Sequence, residues 1–321
     1  MIAFRLPRLL SSAARSALGA ALGVGLAVAV AFQPAQAFAQ PAPAAPVARD
    51  VSGGGPRLWV IRDADSTIYL FGTVHVLRPE TMWRWAGVEA AFDSASDVWF
   101  EVSNPDDQAA LLPLVQQHGL SPDRPLSSLL TPAEFADLGR AAGTMGLTAQ
   151  QMDPFRPWLA SLTLSVAPMI KAGYDPKSGV ELVLKARAEA AGKRVHGFET
   201  IDKQVALLAG LSEADQLSFL RSTLEDMDDS TTELDRLVEA WSVGDVAAVE
   251  RLGVREMRRD DETVYQTLLV RRNVDWAGQI EDILEGSGVA FIAVGAAHLV
   301  GPDSVQAQLA RRGVRAQPAM R

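Results

Sequence analysis

Residues 289–294 (VAFIAV) are apolar without alternation, the pattern of a strand covered on both faces. Residues 68–74 (IYLFGTV) form a similar run, and the polar spacer 62–67 sets it apart from 58–61 (LWVI), which predicts a β-hairpin. Residues 97–103 alternate, with Val98, Phe100 and Val102 on one face and Trp99 and Glu101 on the other. Residues 194–198 (RVHGF) read as a short strand, and 314–317 as a last edge strand.

Between these runs the period turns helical. Over 104–173, Asn104-Pro105 reads as a helix start, Thr131 to Glu134 as a capping box, and 156–172 as a buried apolar helix. Further helices are expected over 178–191, with a Glu181/Lys185 surface pair and Gly192 as its stop, and over 201–211, 213–227, 233–242 and 246–252. One long helix is expected over 260–284, and a last one ends at Arg312 before Gly313, with Pro302 at its start aiming backbone N–H groups toward His298. The order predicts an α/β (α+β) fold: a mixed central sheet built from two related halves, helices on both faces, and 104–173 as a helical cap or insertion.

The amino end changes the picture. Arg5, Arg8 and Arg15 precede an apolar segment at about 17–32, no acidic residue occurs in 1–39, and small residues near 35–39 match an A-x-A cleavage pattern. This predicts a signal peptide over 1–39, a linker over 40–55 rich in Pro, Ala and Gly, and one domain over 56–321. The mature chain would be periplasmic or secreted, or held by an N-terminal membrane anchor if the leader stays; no other stretch is long and apolar enough to span. Losing three arginines takes the formal charge from −9 to −12, which argues against nucleic acid or anionic lipid as a partner. With 48% hydrophobic and 21% charged residues the rest is an ordinary globular composition, and the absence of Cys excludes disulfides and thiolate chemistry.

Candidate chemistry collects at strand ends. His75 and His298 each close a Gly-x-x-His stretch, Gly72 to His75 and Gly295 to His298, and these use half of the four histidines. If the two strands are neighbours, both imidazoles reach one site. Glu101 sits among Trp, Phe and Val, which is costly unless the carboxylate is paired, metal-bound or on a wet edge strand. Glu199 follows the 194–198 strand, and Arg272 and Asn273 lie on the helix leading into the last central strand. Two imidazoles with carboxylates suit zinc, manganese, cobalt or iron and water activation; a His and Glu pair also works as acid and base without metal. The chain lacks H-E-x-x-H and G-x-S-x-G, and the acidic run at 225–229 lacks calcium-loop spacing. His196 reads as structural and His118, beside Gly119, as a surface residue in a loop.

These residues resemble the TraB/GumN family, which includes the Tiki proteases. The resemblance runs through Leu58-Trp59, residues 69–75, the Glu101 strand, Gly192-Lys193, residues 197–200 with Gln204, Arg272-Asn273 with Trp276, and residues 294–301. It implies a metal-dependent hydrolase in which His75 and His298 ligate the ion, Glu101 is ligand or general base, Glu199 is a further acidic member, and Arg272 and Asn273 bind substrate or a developing oxyanion. Glu181 departs from the family, which often has Asp there. The reading is an exported metal-dependent hydrolase, a peptidase using a divalent metal (Mn, Co or Zn), with a peptide or small molecule as substrate. The alternatives are a metal-independent esterase-like hydrolase and a non-catalytic protein that binds a peptide or polysaccharide.

Overall fold

The computed structural model describes residues 54–227 and 230–319. The proposed signal peptide, nearly all of the linker and part of the acidic run lie outside them. Among the described residues no helix is long and apolar enough to cross a membrane.

Six strands form one mixed sheet: β1 (Leu58–Arg62), β2 (Ser66–Thr73), β3 (Asp97–Val102), β4 (Arg194–Glu199), β5 (Gly288–Gly295) and β6 (Gln317–Pro318). Their order is β4-β3-β5-β2-β1-β6. The β1/β2 hairpin is antiparallel, with Leu58 opposite Phe71, and β6 pairs antiparallel with β1. The other four strands run parallel, so their carboxyl ends share one edge of the sheet. β2 and β5, the two Gly-x-x-His strands, are direct neighbours with Gly72 opposite Val294 and Thr73 opposite Gly295.

The unbroken apolar run of β5 is explained by burial on both sides. Phe291 and Ala293 join a core with Phe71, Phe92, Val98 and Phe100. Ala290, Ile292 and Val294 join a second core with Ile68, Leu70, Phe198 and Trp276. Phe291 meets Phe92 edge-on at 5.5 Å and Phe71 at 5.9 Å. Each such fully buried side chain stabilises the fold by about 1.5–3 kcal/mol.

The helices are α1 (Ala86–Ser94), α2 (Gln108–His118), α3 (Pro132–Gly143), α4 (Pro157–Lys171), α5 (Val180–Ala190), α6 (Ile201–Ala209), α7 (Glu213–Asp226), α8 (Ser230–Ser242), α9 (Arg271–Leu284) and α10 (Val305–Arg311), with shorter turns between. The 104–173 segment is helical, and its first helix packs on α6. The Thr131/Glu134 capping box forms. Four local expectations differ. The helix after β3 starts at Gln108 because Asp107, not Asn104, caps it through Ala110 N–H. The long helix expected over 260–284 is broken: Asp261 is extended (φ −151°) and caps the next turn, and a π-helical stretch, Gln266–Val270, precedes α9. Pro302 lies before the last helix, which Ser304 caps at Ala307 N–H, so the expected aim of Pro302 toward His298 is not realised. The final edge strand falls at Gln317–Pro318, because Gly313 (φ +92°) and the Val314 N–H to Leu309 C=O bond keep residue 314 tied to the preceding helix.

Candidate functional site

The four parallel strands each deliver one side to a common corner at their carboxyl ends, where open α/β sheets place their ligands. β3 supplies Glu101 as its penultimate residue and β4 supplies Glu199 as its last. His75 stands two residues beyond β2 at a bend, whereas His298 stands three beyond β5 in a tight turn, Ala296–Leu299. The two Gly-x-x-His copies therefore share position but not local backbone. β3 is an interior strand and Glu101 is buried, so the wet edge-strand alternative for this carboxylate is corrected.

Glu101 is the hub. Its Oε1 accepts the Gly295 backbone N–H at 2.9 Å and lies 4.0 Å from His75 Nε2 and 3.7 Å from His298 Nε2. Its Oε2 accepts from Arg272 Nη2 at 2.6 Å and from Gln204 Nε2 at 3.3 Å. Gly295 leaves room for this meeting: a Cβ there would stand 3.1 Å from Glu101 Oε1 and 3.6 Å from His75 Nε2. Burial alone would raise the Glu101 pKa. The Arg272 guanidinium outweighs it, helped by both imidazoles and the Gly295 N–H, and brings the carboxyl down to about 2.

Arg272 comes from the first turn of α9, directly after the π-helical stretch, a widening that often marks functional helices. Its Nε donates to both oxygens of Glu199 at 3.1 Å, and Nη2 reaches Glu199 Oε2 at 2.9 Å besides Glu101. Nη1 donates to the Leu268 carbonyl at 3.1 Å and stands 3.2 Å from His298 Nε2. All five N–H donors are thus engaged inside the protein. Glu199 is equally occupied, since it also accepts from Trp276 Nε1 at 3.1 Å and Gln204 Nε2 at 3.4 Å. In this geometry Arg272 has no donor left for substrate and Glu199 works as its anchor.

Asn273 fixes the tautomer of His298. Its Nδ2 donates to the Asp303 carbonyl at 2.8 Å, which turns Oδ1 toward His298 Nδ1 at 2.6 Å; Nδ1 then carries the hydrogen and Nε2 keeps its lone pair. His298 is fully buried and lies tilted over Trp276 with ring centroids 4.4 Å apart, and burial, reinforced by Arg272 and His75, lowers its pKa to about 3 against the pull of Glu101.

His75 is held by a residue not expected here. Glu181 is buried; its Oε1 accepts from His75 Nδ1 at 2.9 Å and also from the Thr73 hydroxyl. Lys185, its expected surface partner, pairs instead with Asp106 at 3.1 Å and Glu189 at 2.9 Å. A signal existed: Glu181, Leu184 and Ala188 form the buried stripe of α5, so this acid interrupts an apolar face. Burial opposes a charge on His75, but Glu181 and Glu101 overcome it and raise the pKa to about 9. Its Nε2 is buried without a hydrogen-bond partner among the described residues.

His196 lies elsewhere, bonded to Asp97 at 2.9 Å beside a cavity of about 420 Å³ lined also by Trp99, Gln279 and Asp282, at the amino ends of the strands. His118 sits at the end of α2, where its carbonyl accepts from Trp158.

The corner suits a divalent ion in its chemistry. It offers an orphaned imidazole nitrogen and a carboxylate oxygen beside a glycine cradle, with a second imidazole whose Nε2 lone pair is taken up by Arg272 Nη1. The set is not closed as it stands: among the described residues no three His, Asp or Glu groups are already disposed to hold a metal ion.

Comparison with known proteins places these features in context. A protein of Treponema pallidum (strain Nichols), described only as uncharacterized, is 22% identical over 260 residues, which cover 77% of this chain and 78% of the relative. No solved structure matches the chain. The profile of the TraB/PrgY/gumN family matches residues 57–318, a span that includes every strand and every site residue described above, and the chain belongs to that family.

Proposed function

We propose that this protein is an exported hydrolase that uses a divalent metal ion to cleave peptides, the ion held by His75 Nε2, His298 Nε2 and Glu101 Oε1. One observation carries the reading. Glu101, Glu181 and Glu199 bring three buried carboxylates; Arg272 is the buried permanent cation bonded among them, and the half-exposed Lys203 reaches Glu199 Oε1 at 4.0 Å. Even with Lys203 counted, one negative charge remains when both imidazoles are neutral, and an uncompensated buried charge is expensive. A divalent cation would supply positive charge there; without it, His75 takes up a proton in compensation, as its raised pKa reflects. Bound there, the ion would act as a Lewis acid and make water a nucleophile near neutral pH.

The protein's own groups do the rest. Glu181 and Asn273 orient the two rings, each through Nδ1. Arg272 keeps Glu101 ionised and in place, while Glu199, Trp276 and Gln204 hold Arg272 and the carboxylates. Burial of every member keeps bulk water from the site as it stands.

A second reading has its own support. The Arg272 contact with His298 Nε2 describes a site complete without metal, which favours a metal-independent His/Glu hydrolase or a protein that only binds its peptide. Against acid–base work stands Glu101, whose pKa of about 2 makes it a weak base. Peptide hydrolysis by the purified chain, with and without chelator, separates the readings: loss on chelation and recovery with manganese, cobalt or zinc supports the metal reading, and undiminished cleavage in chelator contradicts it.

A further inference from the structure

Glu181 reaches the corner from α5, an element that carries no other member of the site. Gly179 permits this approach, because a Cβ there would lie 2.2 Å from the His75 carbonyl oxygen. With that room, Val180 N–H donates to the Val74 carbonyl at 3.1 Å, and the first turn of α5 docks against the end of β2. The carboxylate so delivered accepts from His75 Nδ1 at 2.9 Å and from the hydroxyl of Thr73, the residue two positions earlier. Ring and strand end are thereby tied to one oxygen.

His298 is held in another way. Its Nδ1 meets the neutral amide of Asn273, and its Nε2 is already engaged by Arg272. The two imidazoles look equivalent in sequence, yet only His75 pairs a carboxylate on one nitrogen with an unpartnered nitrogen on the other. A carboxylate behind an imidazole fixes the ring and strengthens its far nitrogen as an electron donor, more than an amide does.

We infer that Glu181 is a positioning residue that makes His75 the leading imidazole of the pair, the stronger donor toward a divalent cation. The cation part rests on the metal reading above; the positioning part does not. The buried stripe that carries Glu181 is thus half core and half site.

The test uses the full chain and two readouts. In metal-free protein, proton NMR follows the His75 Nδ1 hydrogen, assigned by its absence in His75→Asn, in wild type, Glu181→Gln and Glu181→Asp. Manganese titration against a competing chelator gives affinities for the same three proteins. Glu181→Gln should move the His75 Nδ1 resonance upfield, leave that of His298 in place, and weaken manganese binding about tenfold to a hundredfold. Glu181→Asp should recover part of both effects, which a loss of packing alone would not give, and it serves as the folded variant if the Gln form does not accumulate. An unmoved His75 resonance, or unchanged affinity in both variants, overturns the proposal. A resonance that moves in Glu181→Gln, beside a wild-type protein that takes up no manganese, upholds the positioning and removes the metal reading instead.

Discussion

Arg272 Nη2 stands 2.6 Å from Glu101 Oε2 in the interior, although 171 positions separate them in the chain. The same guanidinium carries Glu199, so its loss leaves two buried carboxylates without their cation. Arg272→Met should destabilise the fold by about 3–5 kcal/mol, the usual cost of breaking a buried pair from one side. Urea unfolding checks this. A change under about 1 kcal/mol, with only substrate affinity altered, would return Arg272 to the substrate-binding role that the family resemblance implies.

Gly295 has a φ of −49° and ψ of 136°, angles open to any L residue, so its constraint is space and not backbone conformation. Gly295→Ala puts a methyl group 3.1 Å from Glu101 Oε1, into the space shared with His75 Nε2. The variant should keep its fold by circular dichroism and lose at least tenfold in manganese affinity. Full affinity in a folded Gly295→Ala protein would mean that no ion sits in the cradle.

The ionisable core sets a pH window for stability in the metal-free protein. Glu101, lowered to about 2, contributes stability above its unfolded value of 4.5 that disappears as pH falls through 2. His298, lowered to about 3, contributes above 6.5 and loses this as pH falls toward 3. His75 has the opposite sign: raised to about 9, it contributes fully below 6.5 and loses this as pH rises through 9. Stability should therefore peak near pH 6.5 and fall on both sides, with His75 worth about 3 kcal/mol on the alkaline limb. Urea midpoints in chelator from pH 4 to pH 10 test the shape; His75→Gln should flatten the alkaline limb.

His196 shares its residue type with the site but not its place, being half-buried at the other end of β4 with Asp97 as partner. His196→Gln should leave manganese affinity and any hydrolysis unchanged and cost under about 1 kcal/mol, since Arg194 still holds Asp97. A loss of activity in this variant would relocate the chemistry to the amino ends of the strands.

Much of this arrangement was legible because it depends on local pattern. The double Gly-x-x-His with flanking apolar runs pointed to two strand ends that share a site if the strands are neighbours, and β2 and β5 are hydrogen-bonded along their length. Glu101 stood out as a charge in an otherwise apolar strand. Glu181 did not, because four-residue spacing to Lys185 offered a simpler surface pair, and only the docking of α5 against His75 turns it inward. The break at Asp261 and the π-helical stretch at Gln266–Val270 were hidden for a similar reason: helical periodicity continues across them, while a cap and a tertiary contact decide the backbone. The full engagement of Arg272 depends on four separate elements and has no trace in spacing.

The most direct measurement is divalent-ion stoichiometry by equilibrium dialysis, for wild type beside a His75→Ala, His298→Ala double variant whose fold is verified by circular dichroism. The account predicts one manganese, cobalt or zinc ion per wild-type chain and none in the variant. Equal occupancy in both proteins, or no ion in a wild-type chain that cleaves peptide in chelator, would contradict it.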